Sequence, residues 1–363
     1  MLAALCFLAP NLLGFLVFTA FPVVFSLGMS FTNWSLKPTV VTRFVGLRNY
    51  VDLFSDRHFW FYLYNTVYFM LGIPIGIAGS LLLAIFLSQP LTVASSRSRF
   101  VLGGAMGCMG LLAVLFLVIA GRVELALWVG ILFSATLVGI LTGKVGFRTL
   151  FYLPNFTAGV AVFLLWMQLY NPHFGLINGM LSRILHVLGM GHVELPAWLS
   201  STRSLLGFLP LPESFNCTGV GLGAREAIMI MGIWLGVGGN DMLLYLAGLS
   251  NIPLELYESA QIDGAGVWAR FCHITWPQLA PTTFFIVVMS TIGGLQGGFE
   301  MARVMTEGGP AGTTTTLSYY IYTVGFERLD MGYASSISWF LFLIILGLTL
   351  INWKFGNRYV GIS

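Results

Sequence analysis

The chain has 363 residues, 57% of them apolar and 9% charged, with 17 Lys and Arg against 14 Asp and Glu. A soluble domain carries roughly 25% charged residues, so these proportions exclude a globule with a water-facing surface. The net charge of +3, with no basic run, offers nothing for nucleic acid to bind.

The charges are clustered and leave long uncharged stretches between them. A hydrocarbon core of ~30 Å needs about 20 apolar residues in helix. On that measure eight spans are expected, near 3–29, 60–87, 101–120, 123–142, 149–170, 226–249, 277–297 and 333–353. The first run begins at Met1 without a basic n-region and exceeds the length of a signal peptide. It reads as a retained span, with a short basic tail expected ahead of it. Apolar residues lie all round these segments, as in helices buried in lipid and among neighbours. Spanning strands would alternate apolar and polar residues, and these do not.

Between 101–120 and 123–142 stands little more than Gly121–Arg122, so these two spans form a tight hairpin. Gly103, Ala105, Gly107 and Gly110 suit close helix contact there, and equally suit glycines facing lipid. Bases near span ends favour the cytoplasmic side. With the N-terminus inside, Arg97, Arg99, Lys144, Arg148, Arg270, Lys354 and Arg358 fall in inside segments, and the other ten bases fall in outside segments of about twice that length. This places 250–276 and 354–363 in the cytoplasm, and 171–225 and 298–332 outside.

Polar groups within spans are costly and mark pathways. Trp166, Gln168 and Tyr170 fall at the outer end of the fifth span. Asn240 and Asp241 fall well inside the sixth, beside Gly236, Gly238 and Gly239. Gln296 and Glu300 fall at the outer end of the seventh, beside Gly297 and Gly298. Amides and carboxylates bond hydroxyls and aromatic faces pack on sugar rings, so this set suits a sugar. The same residues also serve as glue between helices.

No catalytic constellation is visible. Gly143-Lys144 runs into Val145 and lacks the preceding glycine of a phosphate-binding loop. Cys6, Cys108, Cys217 and Cys272 stand far apart and form no C-x-x-C pair, which leaves no metal site and no disulfide framework. Asn216-Cys217-Thr218 fits a glycosylation pattern and reads as chance. No cofactor is expected on this chain.

Residues 253–281, PLELYESAQIDGAGVWARFCHITWPQLAP, form a polar segment that does not resemble a linker. Leu254, Leu256, Tyr257, Ala260 and Ile262 among Glu255, Glu258 and Asp263 predict a short amphipathic helix. Gly264 offers a turn, Val267–Ile274 a second short helix, and Pro277 and Pro281 the entry to the next span.

This segment resembles the EAA loop of permease subunits in binding-protein-dependent ABC importers. Glu258, Ala260, Gly264, Ile274 and Pro277 match its pattern, and Asp263, Ala265, Phe271 and Pro281 its extended form. Ser259 replaces one of its alanines, and Trp276 replaces its leucine. Further matches run along most of the chain and resemble the carbohydrate-uptake branch, whose members include maltose and glycerol-phosphate permeases. They are Phe44-Val45-Gly46-Leu47-Arg48-Asn49-Tyr50, Phe59-Trp60, Asn65-Thr66, Phe147-Arg148, Leu153-Pro154, Trp166, Asn171-Pro172, Gly175-Leu176-Ile177-Asn178, Gly308-Gly309-Pro310 and Gly332-Tyr333-Ala334-Ser335-Ser336.

The resemblance implies an all-α integral membrane protein with a single transmembrane permease domain over 1–363. A six-span core would carry an inserted two-span hairpin at 91–143, about eight transmembrane helices in total, and a lengthened segment at 203–222. It implies a multi-pass subunit of the bacterial inner membrane that passes a sugar or sugar-like solute by alternating access. The 250–281 loop would couple it to an ATPase dimer that uses ATP and Mg. A second permease subunit, as a heterodimer, and an extracellular solute-binding protein would complete the assembly. An ion-driven secondary carrier and a membrane enzyme acting on lipid-linked sugars remain as alternatives.

Overall fold

The computed structural model describes residues 2–88, 96–119, 126, 129–130, 133–134, 137, 144–156, 159–190, 193–208 and 218–360. Among the described residues regular structure is helical throughout. Pairing of extended chain is confined to isolated bridges, Thr32 with Phe44, Ser35 with Asp330 and Ser204 with Val220.

Among these residues, five helices are long and apolar enough to cross a membrane: Leu8–Ser30, Arg57–Ser88, Ala224–Ser250, Val267–Gln296 and Met331–Lys354. The fifth expected span is built as two helices, Lys144–Phe156 and Gly159–Leu169, and not as one. Pro154 stands inside the first of them, two residues before its end. Counted as one broken span, this pair raises the number to six. In the segment expected to hold an inserted hairpin, Ser96–Ile119 is helical. The second arm, 123–142, lies mostly outside the described residues. Where it is described, a Cβ on Gly110 would stand 2.6 Å from the Phe133 ring, so glycine permits that close approach.

The first span leaves its apolar side chains uncovered, Phe18 at 81% exposure among them, as a helix facing lipid would. Two helices contain a π turn immediately before a proline pair: Leu16–Ala20 precedes Phe21-Pro22, and Phe271–Thr275 precedes Trp276-Pro277. A π turn carries one extra residue, which relieves the helix where proline withholds its donor.

The chain divides into two compact units. The first comprises Met1–Ile73, Gly159–Met231 and Val288–Ser363; the second comprises Pro74–Ala158 and Gly232–Val287. The first has a core of Leu53, Phe59, Leu295, Leu317, Tyr320 and Ile337. Several matched motifs act there as fasteners. Asn49 Nδ2 donates to the Ser30 and Thr32 carbonyls at 2.8 and 2.9 Å. Asn65 Nδ2 donates to the Gly312 and Thr315 carbonyls at 2.9 and 3.0 Å, and Thr66 Oγ1 accepts from the Leu317 amide at 3.0 Å. A Cβ on Gly175 would lie 2.3 Å from the Asn171 carbonyl oxygen, so only glycine fits.

The second unit packs Leu81, Ala84, Leu87, Met242, Tyr245, Leu246, Leu279 and Ile286 together. Its helices approach closely at glycines. Ser80 Oγ donates to the Gly236 carbonyl at 2.9 Å, and a Cβ on Gly248 would meet Leu279 Cδ2 at 2.8 Å. Small residues at such crossings let backbones and short polar side chains meet without a void.

Candidate functional site

The 250–281 segment belongs to the second unit. Its first helix, Leu254–Ile262, ends in a paired closure: the Gly264 amide donates to the Gln261 carbonyl at 3.1 Å and the Ala265 amide to the Ala260 carbonyl at 2.8 Å. That closure needs a left-handed residue after the helix, and Gly264 supplies it at φ +76° with no atom near its would-be Cβ.

The second predicted helix is not separate. Val267–Arg270 passes through the π turn Phe271–Thr275 directly into Trp276–Gln296, so the expected short helix is the first part of a continuous 30-residue one. The π turn accommodates Pro277, and no loop intervenes. Any force on Val267 therefore reaches the span through an unbroken helix.

One side of the segment faces its own unit. Phe271 packs on the second core, Ala260, Ala265 and Ile274 are half-buried, and Thr275 is buried. The Tyr257 and Thr275 hydroxyls bond at 2.9 Å. The other side is open. Glu255, Glu258, Ser259, Asp263 and Pro277 are exposed, beside Ile262 at 86% and Trp268 at 75% exposure. Ser259 Oγ only returns to the Glu255 carbonyl of its own helix, at 2.8 Å. Acids beside uncovered large apolar groups form a surface suited to a protein partner.

The pathway candidates divide between the units. In the first, Trp166 and Tyr170 are buried, their rings 5.2 Å apart, with Trp198 5.1 Å beyond Tyr170. The Tyr170 hydroxyl donates to the Ala227 carbonyl at 2.7 Å. Both side chains are packing elements in this state, and neither presents a surface to a solute. Gln168, Gln296 and Glu300 are exposed. The Glu300 carboxylate lies against Gly159, whose Cβ would stand 2.7 Å from it, at the start of Gly159–Leu169. A carboxylate there meets the positive end of the helix dipole.

In the second unit, Asn240 and Asp241 do not lie within an unbroken helix. Ala224–Gly236 stops, the chain turns through Gly238 at φ +91°, and a new helix begins at Asn240. A Cβ on Gly238 would lie 2.7 Å from the Phe151 carbonyl oxygen, so the break requires glycine. Asn240 is exposed and Asp241 half-buried. Asn240 Oδ1 accepts from the Tyr152 hydroxyl at 3.0 Å and from Asn155 Nδ2 at 3.3 Å. Sequence reading passed over Tyr152 and Asn155; two polar residues one turn apart beside Pro154 were the available signal.

It also passed over Arg225 and Glu226, adjacent charges that are both fully buried. They do not pair with each other. Arg225 Nε donates to Asn65 Oδ1 at 3.0 Å, and its guanidinium lies 5.6 and 5.5 Å from the Phe61 and Tyr64 ring centres. Glu226 accepts from the Tyr68 and Ser204 hydroxyls at 2.5 and 2.9 Å, and from the Leu205 and Gly223 amides at 2.8 and 3.0 Å. Four donors compensate its lost hydration. No cluster of three or more possible metal ligands occurs among the described residues.

No known family profile matches the chain. It is similar to the probable ABC transporter permease protein YurN of Bacillus subtilis, 30% identical over 350 residues covering 96% of this chain and 94% of the relative. The sn-glycerol-3-phosphate transport system permease protein UgpA of Yersinia pestis is 28% identical over 319 residues, covering 88% and 82%. A chain in the crystal structure of a bacterial alginate ABC transporter, in complex with an alginate pentasaccharide-bound periplasmic protein, superposes with a TM-score of 0.68 at 22% identity. That superposition covers 99% of this chain and 95% of the other. The shared fold, the near full-length coverage and the identity to YurN lead to one conclusion: the chain belongs to the ABC transporter permeases.

Proposed function

We propose that the chain is the transmembrane permease subunit of an ATP-driven importer for a sugar or sugar-like solute, working by alternating access. The observation that carries this reading is the 253–281 segment, where exposed acids and apolar groups sit on a helical lever continuous with the Val267–Gln296 span. As an ABC permease the chain is non-catalytic, and ATP hydrolysis occurs in a partner ATPase. Glu258, Ser259, Ala260, Asp263, Gly264, Ala265, Phe271, Ile274 and Pro277 make up the coupling element. Exposed members meet the ATPase dimer, which holds ATP and Mg, and the half-buried members fix the lever.

The solute class follows the similar proteins, one named for sn-glycerol-3-phosphate transport and one a bacterial alginate ABC transporter solved with an alginate pentasaccharide-bound periplasmic protein. The partners are then a second permease subunit in a heterodimer and an extracellular solute-binding protein, in a bacterial inner membrane. The inserted 91–143 hairpin brings the spans to about eight and stands outside the pathway. Among the pathway candidates we retain the exposed amides Gln168, Asn240 and Gln296, each judged within its own unit; Glu300 is occupied with a helix end.

Reconstitution in liposomes with the ATPase, the second permease and the binding protein tests this reading. ATP-dependent accumulation of a labelled sugar or sugar phosphate is expected. Uptake driven by an ion gradient without ATP would overturn it.

A further inference from the structure

We propose that Phe326, with the Arg303–Glu327 pair beside it, forms a platform on the first unit for one ring of a soluble saccharide. The platform adds a ligand contact beyond the pathway candidates, and its ligand class rests on the sugar reading above. Tyr319, Tyr322 and Phe326 recur three and four residues apart along Leu317–Tyr322 and the π turn Thr323–Glu327. Their rings stack in series, Tyr319 on Tyr322 at 6.5 Å and Tyr322 on Phe326 at 5.3 Å. The row runs outward: Tyr319 is buried, Tyr322 half-buried and Phe326 59% exposed.

A second helix, Phe299–Met305, flanks the row. The Phe299 ring stands 5.0 Å from that of Tyr322, and the Arg303 guanidinium lies 4.7 Å over the Tyr322 ring. Arg303 Nη1 donates to Glu327 Oε1 at 3.1 Å, and Glu327 follows Phe326 directly in the chain. Tyr322 therefore touches the exposed ring on one side and carries the cation of the ion pair on another.

Folding stability does not account for this arrangement. The Arg303 and Glu327 side chains are 44% and 46% exposed, and a pair so exposed contributes little. An uncovered phenylalanine contributes nothing by burial. What the cluster holds in fixed relation is an aromatic face, donors and an acceptor. Beyond their mutual bond, the guanidinium has further N–H donors and the carboxylate a second oxygen. A sugar ring needs these together, because its C–H face packs on an aromatic ring while neighbouring hydroxyls both donate and accept. Arg303, Glu327 and Arg328 are all exposed, and charges so placed do not face acyl chains. Water, and a solute dissolved in it, is the medium for this ring. Ser318 Oγ donates to the Gln296 carbonyl at 2.6 Å, which sets the platform's helix against the end of the span carrying that pathway amide.

The full chain in phosphatidylcholine nanodiscs, prepared without glycosidic detergent, tests this on an array of neutral and acidic oligosaccharides. Saturation-transfer NMR then gives affinities for the free sugars that bind. Wild-type protein is expected to bind at least one of them. Phe326→Ala should weaken that binding about two- to tenfold, and Phe326→Trp, which keeps an aromatic face, should retain it. Glu327→Gln, at a second exposed position, should weaken it about tenfold. No saccharide bound by wild-type protein overturns the platform, and ATP-dependent sugar uptake measured alongside would leave the importer reading standing. Affinity unchanged in both Phe326→Ala and Glu327→Gln also overturns it. So does affinity lost only in Gln296→Ala, which returns the sugar to the pathway. Retention of a glycosyldiacylglycerol added to the discs, with no free sugar bound, overturns it in favour of a lipid contact. Array binding that depends on Phe326, in a chain whose uptake runs on an ion gradient, supports the platform and overturns only the importer reading.

Discussion

The Tyr257 and Thr275 hydroxyls meet at 2.9 Å and fasten the first helix of the 253–281 segment to the π turn leading into the membrane span. Phe271 anchors the same turn to the core of the second unit. The two helices of the segment therefore move as one body. Removing the bond with Tyr257→Phe should cost about 0.5–1.5 kcal/mol locally. The expected result is fewer solute molecules moved per ATP, with insertion unchanged. Transport and ATP turnover measured on the same proteoliposomes check it; an unchanged ratio would show that the bond does not contribute to coupling.

Gly264 has φ +76° and open space around it, so a side chain there meets no clash and only the backbone geometry resists. For a residue with Cβ that conformation costs roughly 1–2 kcal/mol, and less for Asn. Gly264→Ala should lower uptake and stimulated ATP turnover together, and Gly264→Asn should retain more of both. A Gly264→Ala protein as active as wild type would remove the turn from the coupling path.

Glu226 satisfies four donors inside the first unit. Glu226→Ala would orphan the Tyr68 hydroxyl proton and the Leu205 and Gly223 amides, each orphan costing about 1–3 kcal/mol, while the Ser204 hydroxyl keeps its 3.1 Å bond to Tyr68. A large fall in melting temperature or in yield is expected, with Glu226→Gln intermediate because its amide offers a donor where an acceptor is needed. Thermal unfolding in detergent provides the measurement.

Asn240 offers its carboxamide at a helix break. If it bonds a neutral solute, Asn240→Ala should remove about 0.5–1.5 kcal/mol of binding, a two- to tenfold loss in apparent affinity for uptake. Tyr152→Phe should produce a smaller loss, since Tyr152 only orients Asn240. Uptake measured against solute concentration separates affinity from maximal rate, and an unaltered affinity would return Asn240 to a packing role.

Burial raises the Tyr320 phenol pKa above its ordinary 10.0, and the hydrogen bond to Asp56 adds to the rise. Tyr320 is protonated at neutral pH, folded or unfolded. As pH climbs past the unfolded value, the unfolded chain loses this proton first, so the stability it contributes is present below it and declines above it. Melting temperature should therefore be flat near neutrality and fall in strongly alkaline buffer. Asp56→Asn should lessen the Tyr320 contribution, and an alkaline ultraviolet titration of tyrosinate reads that change directly.

Membrane residence, the helical class and the helix and left-handed turn ending at Gly264 were legible in the sequence, because each is local. A run of uncharged residues must cross lipid as a helix whatever surrounds it. Glu258 and Gly264 mark a helix and its left-handed stop by their own chemistry, whereas Pro277, expected at the entry to a span, sits inside the continuous Val267–Gln296 helix. Five of the expected spans appeared in order, within a few residues of their ends in most cases, and a sixth as a bent pair of helices.

Other features depended on distant residues and were decided only by the tertiary structure. Gly238 breaks the sixth span because its backbone passes the Phe151 carbonyl, far away in sequence. Trp166 and Tyr170 suited a sugar by residue type, but Trp198 and Ala227 enclose them. Arg225 and Glu226 are held by Asn65, Tyr68 and Ser204, which only the packed chain brings to them. Composition states which groups cannot face hydrocarbon unaided. Which partner satisfies each is settled when separate segments pack, since a hydrogen bond requires two groups within about 3 Å and sequence spacing fixes that only inside one helix.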